Sequence, residues 1–336
     1  MAQTHSSVIL AADVGGTKTH MALFTVQGRR LRHFLQQSFA SRQVSSLEAM
    51  IRQFLQTAPH VRVSRAAFGV AGPVLNGTCH TPNLPWVVDE RRLRSLLQVP
   101  AVEVINDLEA MAYGIERVSS RALVSLQAGR PVEHGRIALI AAGTGLGEAF
   151  LCWDGRRYRP SPSEGGHADF APRNALEMEL LRFLWADHQH VSYERVVSGP
   201  GLVRIYRFLR QRSRRKEPVW LTAALRHRDA GAVITQSGLS RRDACCRHTV
   251  ELFASLYGAE AGNLAMKTLA TGGVYLGGGI APKILPVLRG DGFLRAFVDK
   301  GRMHRVLSQI PVRVMLDEQS ALLGAAHYAW LRASSR

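Results

Sequence analysis

Three short glycine-rich stretches of this sequence have the composition of turns that bind phosphate. The first is AADVGGTKTHMALF (residues 11–24), in which two glycines and a threonine separate two apolar segments, and AAGTGLGEAF (141–150) repeats the design. Glycine lets the backbone approach a ligand closely, and successive N–H groups in such turns form a nest for an anion. One such turn alone fits a plain hairpin equally well, whereas the matched pair and a third turn predict loops that grip a polyphosphate. The residues concerned are Gly15, Gly16 and Thr17, then Gly143, Thr144 and Gly145, and finally Gly277, Gly278 and Gly279.

An acidic residue, Asp13, stands at the mouth of the first turn. A carboxylate repels phosphate directly, but Mg²⁺ with its water shell can lie between the two, since this ion takes one or two carboxylates together with substrate phosphates. The sequence contains no G-x-x-x-x-G-K-[ST] loop, and an apolar strand follows the glycines where a dinucleotide fingerprint requires a helix. We therefore predict that Asp13 holds Mg²⁺ through water, beside a phosphate-binding hairpin.

A second acidic position follows the apolar strand VEVIND (102–107), which ends on Asn106 and Asp107. Ligands of open α/β sheets bind at the carboxyl ends of the strands, so Asp107 is placed to accept a proton from a bound hydroxyl. The alternative is that Asp107 is the N-cap of the helix predicted at 108–118. Both roles are compatible with the sequence.

The glycine-rich stretch SEGGHADFAP (163–172) contains Glu164 and His167. With Asp169 these side chains could hold a metal, but H-E-x-x-H spacing is absent and the glycines disfavour a helix that presents ligands on one face. We favour recognition of hydroxyl groups, because carboxylate and imidazole groups each pair with hydroxyls.

The motifs together resemble a known family. DVGGTK, AGTGLG and GGVYLGGGIAPK are similar to the phosphate and adenosine motifs of the sugar-kinase, heat-shock and actin superfamily. INDLEA, GTGLGEAFL, EGGHADFAP, HVSYERVVSGPGL and GGIAPKIL more narrowly resemble the bacterial glucokinase family, in the same order, from about residue 8 to residue 325. The related repressor and kinase family carries a zinc-binding cysteine motif after the histidine, and this chain has HADFAP there.

The resemblance implies an activity and a set of roles. It implies transfer of the γ-phosphoryl group of ATP to the 6-hydroxyl of glucose with Mg²⁺, and Asp107 as general base. The glycine turns would hold the phosphates and the adenosine, and Glu194, which by bare sequence is a surface charge, would bind sugar. The sugar set that the resemblance implies is Asn106, Asp107, Glu164, His167 and Glu194, with Asn83 shaping the acceptor cleft. Alternatives are a kinase for another hexose or an amino sugar, ADP or polyphosphate as donor, and a non-catalytic sugar-sensing regulator.

Alternating strands and helices must position these residues, which indicates the α/β class. We predict strands at 8–14, 20–26, 66–74, 102–107 and 312–317 and a strand–turn–strand unit at 136–153, with helices at 45–56, 174–187, 199–213, 219–228, 241–270 and 320–332. The resemblance implies a two-domain actin-like ATPase (ribonuclease H-like) fold with an interdomain active-site cleft. The expected domains are residues 1–118, joined by the C-terminal helix 320–336, and residues 119–319.

Composition limits the other classes of function. The 336 residues contain no apolar run long enough for a membrane helix and no recognisable secretory signal, and the four cysteines are scattered, so we expect a cytoplasmic protein with reduced thiols. The net charge of +17 favours anionic partners. Its densest stretch, residues 207–218, is interpreted as a solvated helix end rather than a nucleic-acid surface, since no nucleic-acid-binding motif accompanies it. Members of the family that the sequence resembles are often dimers, so a homodimer is one assembly that the resemblance allows.

Overall fold

The computed structural model describes residues 7–28, 30–317 and 319–333, so residues 1–6 of the expected first domain and 334–336 of the expected last helix lie outside the described residues. The chain forms two compact units. The first comprises residues 1–119, 158–162 and 317–336, and the second comprises 120–157 and 163–316. Within the described ranges, no helix is both long and apolar enough to cross a membrane.

The first unit contains a five-stranded sheet, a small three-stranded sheet and flanking helices. Its elements up to residue 114 are β1 (Val8–Val14), β2 (Lys18–Gln27), β3 (Arg30–Ala40), α1 (Leu47–Gln56), β4 (Val63–Val70), β5 (Val74–Leu75), β6 (Thr78–His80), β7 (Val87–Asp89), α2 (Glu90–Leu97), β8 (Val102–Asn106) and α3 (Asp107–Gly114).

The strand order of the larger sheet, β3-β2-β1-β4-β8, brings two of the predicted site segments to one edge. β1 and β2 form an antiparallel hairpin around the first glycine turn, while β1, β4 and β8 run parallel. Asp13 pairs with Gly69 on β4, and Val70 pairs with Asn106 on β8. The first glycine turn and Asp107 therefore lie at the same end of the sheet, with one strand between them.

The alternation of β1 explains the direction of the Asp13 side chain, which is partly buried. Leu10 and Val14 belong to the apolar cluster under α1, where Phe54 is fully buried. Ile9 and Ala11 point to the opposite face, into the cluster that contains residues of α3. Since side chains alternate along a strand, Asp13 continues the Ile9–Ala11 face and is directed toward α3.

The second unit is built on a sheet in which β10 is buried along its whole length. Five of its strands follow the order β11-β10-β13-β14-β9. The elements of this part of the chain are β9 (Leu123–Gln127), β10 (Ile137–Ala142), β11 (Leu146–Trp153), β12 (Tyr158–Ser163), α4 (Ala175–Trp185), α5 (Gly199–Ser213), α6 (Val219–His227), α7 (Ala230–Leu239), α8 (Ala244–Thr268), β13 (Gly273–Gly277), α9 (Leu285–Leu288), α10 (Asp291–Val298), α11 (His304–Leu307) and β14 (Val312–Met315).

The core of the second unit is the 25-residue helix α8. The hydroxyl of Tyr257 donates to the carbonyl oxygen of Ile140 at 3.0 Å, which fixes α8 against the central strand. A Cβ atom at Gly258 would lie 2.2 Å from the carbonyl oxygen of Phe293, so glycine is needed for the close approach of α10. Ala141 of β10 pairs with Gly277 of β13, which places the second and third glycine turns at one edge of this sheet.

The last helix, α12 (Ser320–Ala333), belongs to the first unit. It packs on α3 through small residues: a Cβ atom at Gly324 would lie 1.7 Å from the carbonyl oxygen of Ala110. The strand at 8–14 is confirmed residue for residue. The long helix predicted at 241–270 is confirmed as α8 (Ala244–Thr268), whereas α7, immediately before it, was not predicted.

Candidate active site

The first glycine turn is held by two buried hydroxyl groups. The Ser41 hydroxyl donates to the carbonyl oxygen of Gly15 at 2.7 Å, and its backbone N–H donates to the carbonyl oxygen of Thr17 at 3.0 Å. Thr19 lies 3.0 Å from Ser41, hydroxyl to hydroxyl, and both residues are fully buried. Because Ser41 is 26 residues from Gly15, no local sequence signal identifies it as a support of this turn.

Asn83 lies against the same turn. A Cβ atom at Gly16 would lie only 2.6 Å from the Cβ atom of Asn83, so a glycine at this position makes room for that side chain. Asn83 itself is exposed. The structure therefore brings one predicted sugar-site residue next to the predicted phosphate turn.

The carboxylates of Asp13 and Asp107 interact electrostatically. Burial, reinforced by the negative charge of Asp107, raises the pKa of Asp13 to about 7. The same two causes raise the pKa of the buried thiol of Cys79. Concentrated negative charge at the end of a sheet is a place where a cation is favoured, since it relieves the repulsion between the acids.

The start of α3 differs from the expectation that Asp107 caps this helix. The cap is Asn106, whose side-chain oxygen accepts from the backbone N–H of Leu108 at 2.9 Å and of Glu109 at 3.3 Å. Its amide group also donates to the carbonyl oxygen of Gly72 at 3.0 Å. Asp107 is the first helical residue, and one carboxylate oxygen accepts from the N–H of Leu108 at 2.9 Å. The carboxylate of Asp107 thus lies in the favourable field of a helix N-terminus.

Gly69 on β4 allows this arrangement and was not among the predicted site residues. A Cβ atom there would lie 2.8 Å from the Cβ atom of Ala110 and 3.6 Å from the Cα atom of Asp107. Any larger residue would push the first turn of α3 off the sheet. The glycine inside the apolar run AAFGVAG was the available signal.

The second glycine turn is supported by Glu194. One carboxylate oxygen of Glu194 accepts from the N–H of Leu146 at 3.0 Å, and a Cβ atom at Gly145 would lie 2.5 Å from the same oxygen. The turn closes through a 2.9 Å bond from the N–H of Gly143 to the carbonyl oxygen of Gly145. The carbonyl oxygen of Gly143 accepts from the N–H of Gly199 at 2.8 Å, so the turn adjoins the first residue of α5.

The Glu164 and His167 side chains are both exposed and lie together, with Nε2 of His167 3.9 Å from a carboxylate oxygen of Glu164. Their short 3₁₀ helix (Gly165–His167) lies directly on β11, since a Cβ atom at Gly166 would lie 2.1 Å from the carbonyl oxygen of Leu146. Asp169 pairs instead with His190 at 2.8 Å. Among the described residues, no cluster of three or more His, Cys, Asp or Glu side chains with the arrangement of a metal site occurs.

The third glycine turn leaves its backbone accessible. Gly278 adopts a φ of +78°, and a Cβ atom there would lie 2.4 Å from the carbonyl oxygen of Ala142, so only glycine fits without strain. A Cβ atom at Gly279 would meet no atom within 4 Å. The turn is thus both obligatorily glycine and open on one side.

The structure therefore forms two groups of predicted site residues. The group in the first unit is Asp13, Gly15, Gly16, Thr17, Asn83, Asn106 and Asp107. The group in the second unit is Gly143, Thr144, Gly145, Glu164, His167, Glu194, Gly277, Gly278 and Gly279.

A family model, a relative in sequence and a solved structure that are similar to this chain all carry the name glucokinase. A family model described as Glucokinase matches residues 10–331. The chain is 43% identical to the glucokinase of Nostoc punctiforme, over 95% of this chain and 98% of that protein. The crystal structure of a glucokinase from an Antarctic psychrotroph superposes with a TM-score of 0.85 at 32% identity, covering 97% of this chain and 99% of that one.

A more distant neighbour shares the fold alone. A ROK family glucokinase from Streptomyces griseus, crystallised in complex with glucose and AMPPNP, superposes with a TM-score of 0.67 at 21% identity, over 97% of this chain and 100% of that one. The predicted α/β class and two-domain actin-like kinase fold are confirmed.

Proposed function

The chain belongs to the glucokinase family, and from that premise we propose that it transfers the γ-phosphoryl group of ATP to the 6-hydroxyl of glucose, with Asp107 as general base. As a member of this family it is an ATP-dependent hexose kinase.

The observation that carries the proposal is the position of Asp107 relative to the first glycine turn. Both lie at the carboxyl end of parallel strands in one sheet, and the charge of Asp107 helps to raise the pKa of Asp13 at the mouth of that turn. A base and a phosphate-binding loop are thus neighbours, as in-line transfer to a bound hydroxyl requires.

Asp107 would take the proton of the attacking hydroxyl as the bond to phosphorus forms. The N–H of Leu108 fixes one carboxylate oxygen at 2.9 Å and so holds the group in one orientation. General-base assistance of this kind contributes about 10²–10⁴ in rate. Most of the remaining acceleration comes from positioning and from neutralising the charge of the phosphoryl group.

The backbone N–H groups of the glycine turns would bind the phosphates. The first turn is held by Ser41 and the second by Glu194, so both are organised before ATP arrives. Donors that need no rearrangement stabilise developing negative charge more effectively than donors that must reorient. The open third turn would accommodate the adenosine.

Asp13 fits a role in holding Mg²⁺. Its carboxylate interacts with that of Asp107, and burial together with this neighbouring charge raises its pKa, a repulsion that a bound cation would relieve. We propose that Asp13 holds Mg²⁺ through a water molecule and that Asp107 contributes to the local field. When bound, Mg²⁺ neutralises phosphate charge.

The sugar hydroxyls would be recognised by Glu164 and His167, whose exposed groups 3.9 Å apart suit two neighbouring hydroxyls. Glu194 would bind the sugar while its other contact holds the second glycine turn, which ties the sugar site to the phosphate site. Asn106 and Asn83 complete the proposed set. The four cysteines are free thiols, which supports the proposed cytoplasmic location.

The test is a coupled assay of ADP release, with ATP as donor and with glucose, mannose or N-acetylglucosamine as acceptor. It compares wild type with Asp107→Asn. We expect glucose to be the preferred acceptor and Asp107→Asn to lower kcat by about 10²–10⁴. Asp291→Asn is the matched control, because Asp291 is also the first residue of a helix but is exposed on α10. Unchanged kcat in Asp107→Asn refutes its role as base, and a much higher kcat/KM for another sugar refutes glucose as the substrate.

A further inference from the structure

Two glutamates form a buried acid pair beneath the proposed sugar residues of the second unit. Glu148 on β11 is 1% exposed and Glu260 on α8 is 0% exposed, and the two carboxyl groups lie close enough to interact. Glu148 lies three residues after Gly145 of the second glycine turn, on β11, against which the loop of Glu164 and His167 packs. The mechanism proposed above uses neither glutamate.

Each carboxyl group has one oxygen without a donor. Oε1 of Glu148 and Oε1 of Glu260 are buried side-chain oxygens that find no hydrogen-bond partner within the described part of the chain. Lys267 approaches Glu260 Oε1 at 3.6 Å, which is close enough for an ion pair and too long for a hydrogen bond. A proton bound by either carboxyl group supplies the missing donor to the other, whereas two ionised carboxylates in contact would repel each other.

The pair contacts one of the two segments that carry the proposed sugar residues directly and reaches the other through Asn263. A Cβ atom at Gly165 would lie 2.1 Å from a carboxyl oxygen of Glu148, so this oxygen supports the Glu164–His167 loop from below. Asn263 donates to Glu260 at 2.8 Å and lies 3.1 Å from the hydroxyl of Tyr193, the residue before Glu194.

The two segments are also bonded to each other. The N–H of Tyr193 donates to the carbonyl oxygen of Ala168 at 3.0 Å, and Asp169 forms an antiparallel bridge with Ser192. A displacement of Glu148 would therefore move the loop of Glu164 and His167 and the segment of Glu194 together.

We propose that Glu148 and Glu260 share one proton and that the protonated pair positions Glu164, His167 and Glu194 for binding the hexose. The inference rests on the proposed function of these three residues. Glu148 and Glu260 touch no reacting atom in this scheme, so they are positioning residues.

The groups around Glu148 and Glu260 determine how the pair responds when its shared proton is lost. Burial, followed by the charge of Glu260, raises the pKa of Glu148 well above its ordinary range. A second carboxylate would leave the pair with Lys267 as the nearest cation, and repulsion would move Glu148 against Gly165. The titratable groups that interact with the pair are Lys267, Lys300, Tyr193 and Tyr257. The charged groups that act in turn on Lys300 are Arg173, Glu177 and Asp299.

The shared proton is tested without any measurement of activity. An infrared difference spectrum of the whole protein at neutral pH, with ¹³C-labelled glutamate, should contain the band of a buried neutral carboxyl group. The band should disappear in Glu148→Gln, where Lys267 favours ionised Glu260, and shift in Glu260→Gln, where burial still keeps Glu148 neutral but its partner has changed. It should remain unchanged in Glu179→Gln, whose exposed carboxylate pairs with Arg212. The absence of this band in wild type, or its persistence in Glu148→Gln, overturns the proposal.

The positioning role is tested by the pH dependence of KM and kcat. The amide of Glu148→Gln can donate to Glu260 at every pH, so its KM for glucose should stay within about threefold of wild type at pH 7. Above about pH 8 the wild-type KM should rise about tenfold or more and the variant's should not, while kcat changes less in both. Glu148→Ala, which removes the support of Gly165, should raise KM about tenfold already at pH 7.

The same rise of KM with pH in wild type and Glu148→Gln overturns the proposal, because the change then belongs to another group. If Glu148→Gln does not fold, Glu148→Ala serves in its place, because it also lacks the titrating carboxyl group: its KM, raised at every pH, should not rise further above about pH 8. If wild type phosphorylates no hexose, the proposed function fails by itself. Hydrogen exchange then tests whether the protonated pair orders the two segments. Residues 163–168 and 191–195 should lose protection from exchange at high pH in wild type and keep it in Glu148→Gln.

Discussion

Replacement of Asp13 by asparagine should stabilise the fold while it abolishes activity. The pKa of Asp13 is about 7 in the folded protein against an ordinary value of 3.8. A group whose pKa is raised by folding binds its proton more tightly in the native state. Its contribution to the free energy of unfolding is therefore complete below about pH 4 and is lost as the pH rises to about 7. At about 1.4 kcal/mol for each factor of ten, ionised Asp13 destabilises the native state by roughly 4 kcal/mol above pH 7.

Asparagine has nearly the same shape and cannot ionise, so Asp13→Asn removes this penalty. We expect the variant to exceed wild type in free energy of unfolding by roughly 1 kcal/mol at pH 5 and by roughly 2–4 kcal/mol at pH 8, after allowance for burying the amide. Urea denaturation at pH 5, 6, 7 and 8, without nucleotide and with a chelator present, measures the difference. The kcat with ATP and Mg²⁺ should fall by at least about 10²-fold, because the proposed Mg²⁺ contact is lost.

Asp89→Asn is the control for this experiment. Asp89 caps α2, and its bonds to backbone N–H groups, chiefly that of Arg92, lower its pKa. A carboxyl group with a lowered pKa stabilises the native state above its ordinary pKa, and this stabilisation is lost as the pH falls. Asp89→Asn should therefore lower the free energy of unfolding at neutral pH, whereas Asp13→Asn should raise it. An Asp13→Asn variant less stable than wild type at pH 8, or a difference that stays constant from pH 5 to pH 8, would refute the reasoning.

Four further substitutions test individual contacts. Gly16→Ala places a Cβ atom 2.6 Å from that of Asn83 and should raise the KM for ATP in steady-state kinetics about tenfold or more. The double variant that also carries Asn83→Ala should recover part of this loss. Ser41→Ala removes a bond to Gly15 and should lower the free energy of unfolding in urea by about 1–3 kcal/mol and raise the KM for ATP. Glu194→Gln keeps an acceptor for the N–H of Leu146, so it should raise the KM for glucose and leave that for ATP nearly unchanged; equal rises in both would assign Glu194 to the turn alone. Gly324→Ala forces α12 away from α3 and should lower Tm by several degrees in calorimetry without a change in KM; an unchanged Tm would contradict the close packing.

The local chemistry of the chain was sufficient to predict several elements. The strand Val8–Val14 and the helix Leu47–Gln56, predicted at 45–56, follow from a short apolar run and from helical spacing, which are properties of a few neighbouring residues. The glycine turns were predicted for the same reason, since positive φ and close backbone approach are properties of the glycine itself. Local signals failed where two choices were equivalent, as with Asn106 and Asp107, either of which could cap α3.

Tertiary structure decided everything that depends on contacts between distant residues. Ser41 supports the first turn from 26 residues away, Glu194 supports the second from 48 residues away, and Glu148 meets Glu260 across more than a hundred residues. The energy of such contacts depends on which strand lies beside which and on how much water is excluded, and neither quantity is written in a local pattern of residue types. The sequence by itself therefore determined which groups are available for phosphoryl transfer. Packing determined which of them are buried, how they are charged, and which neighbours hold them in place.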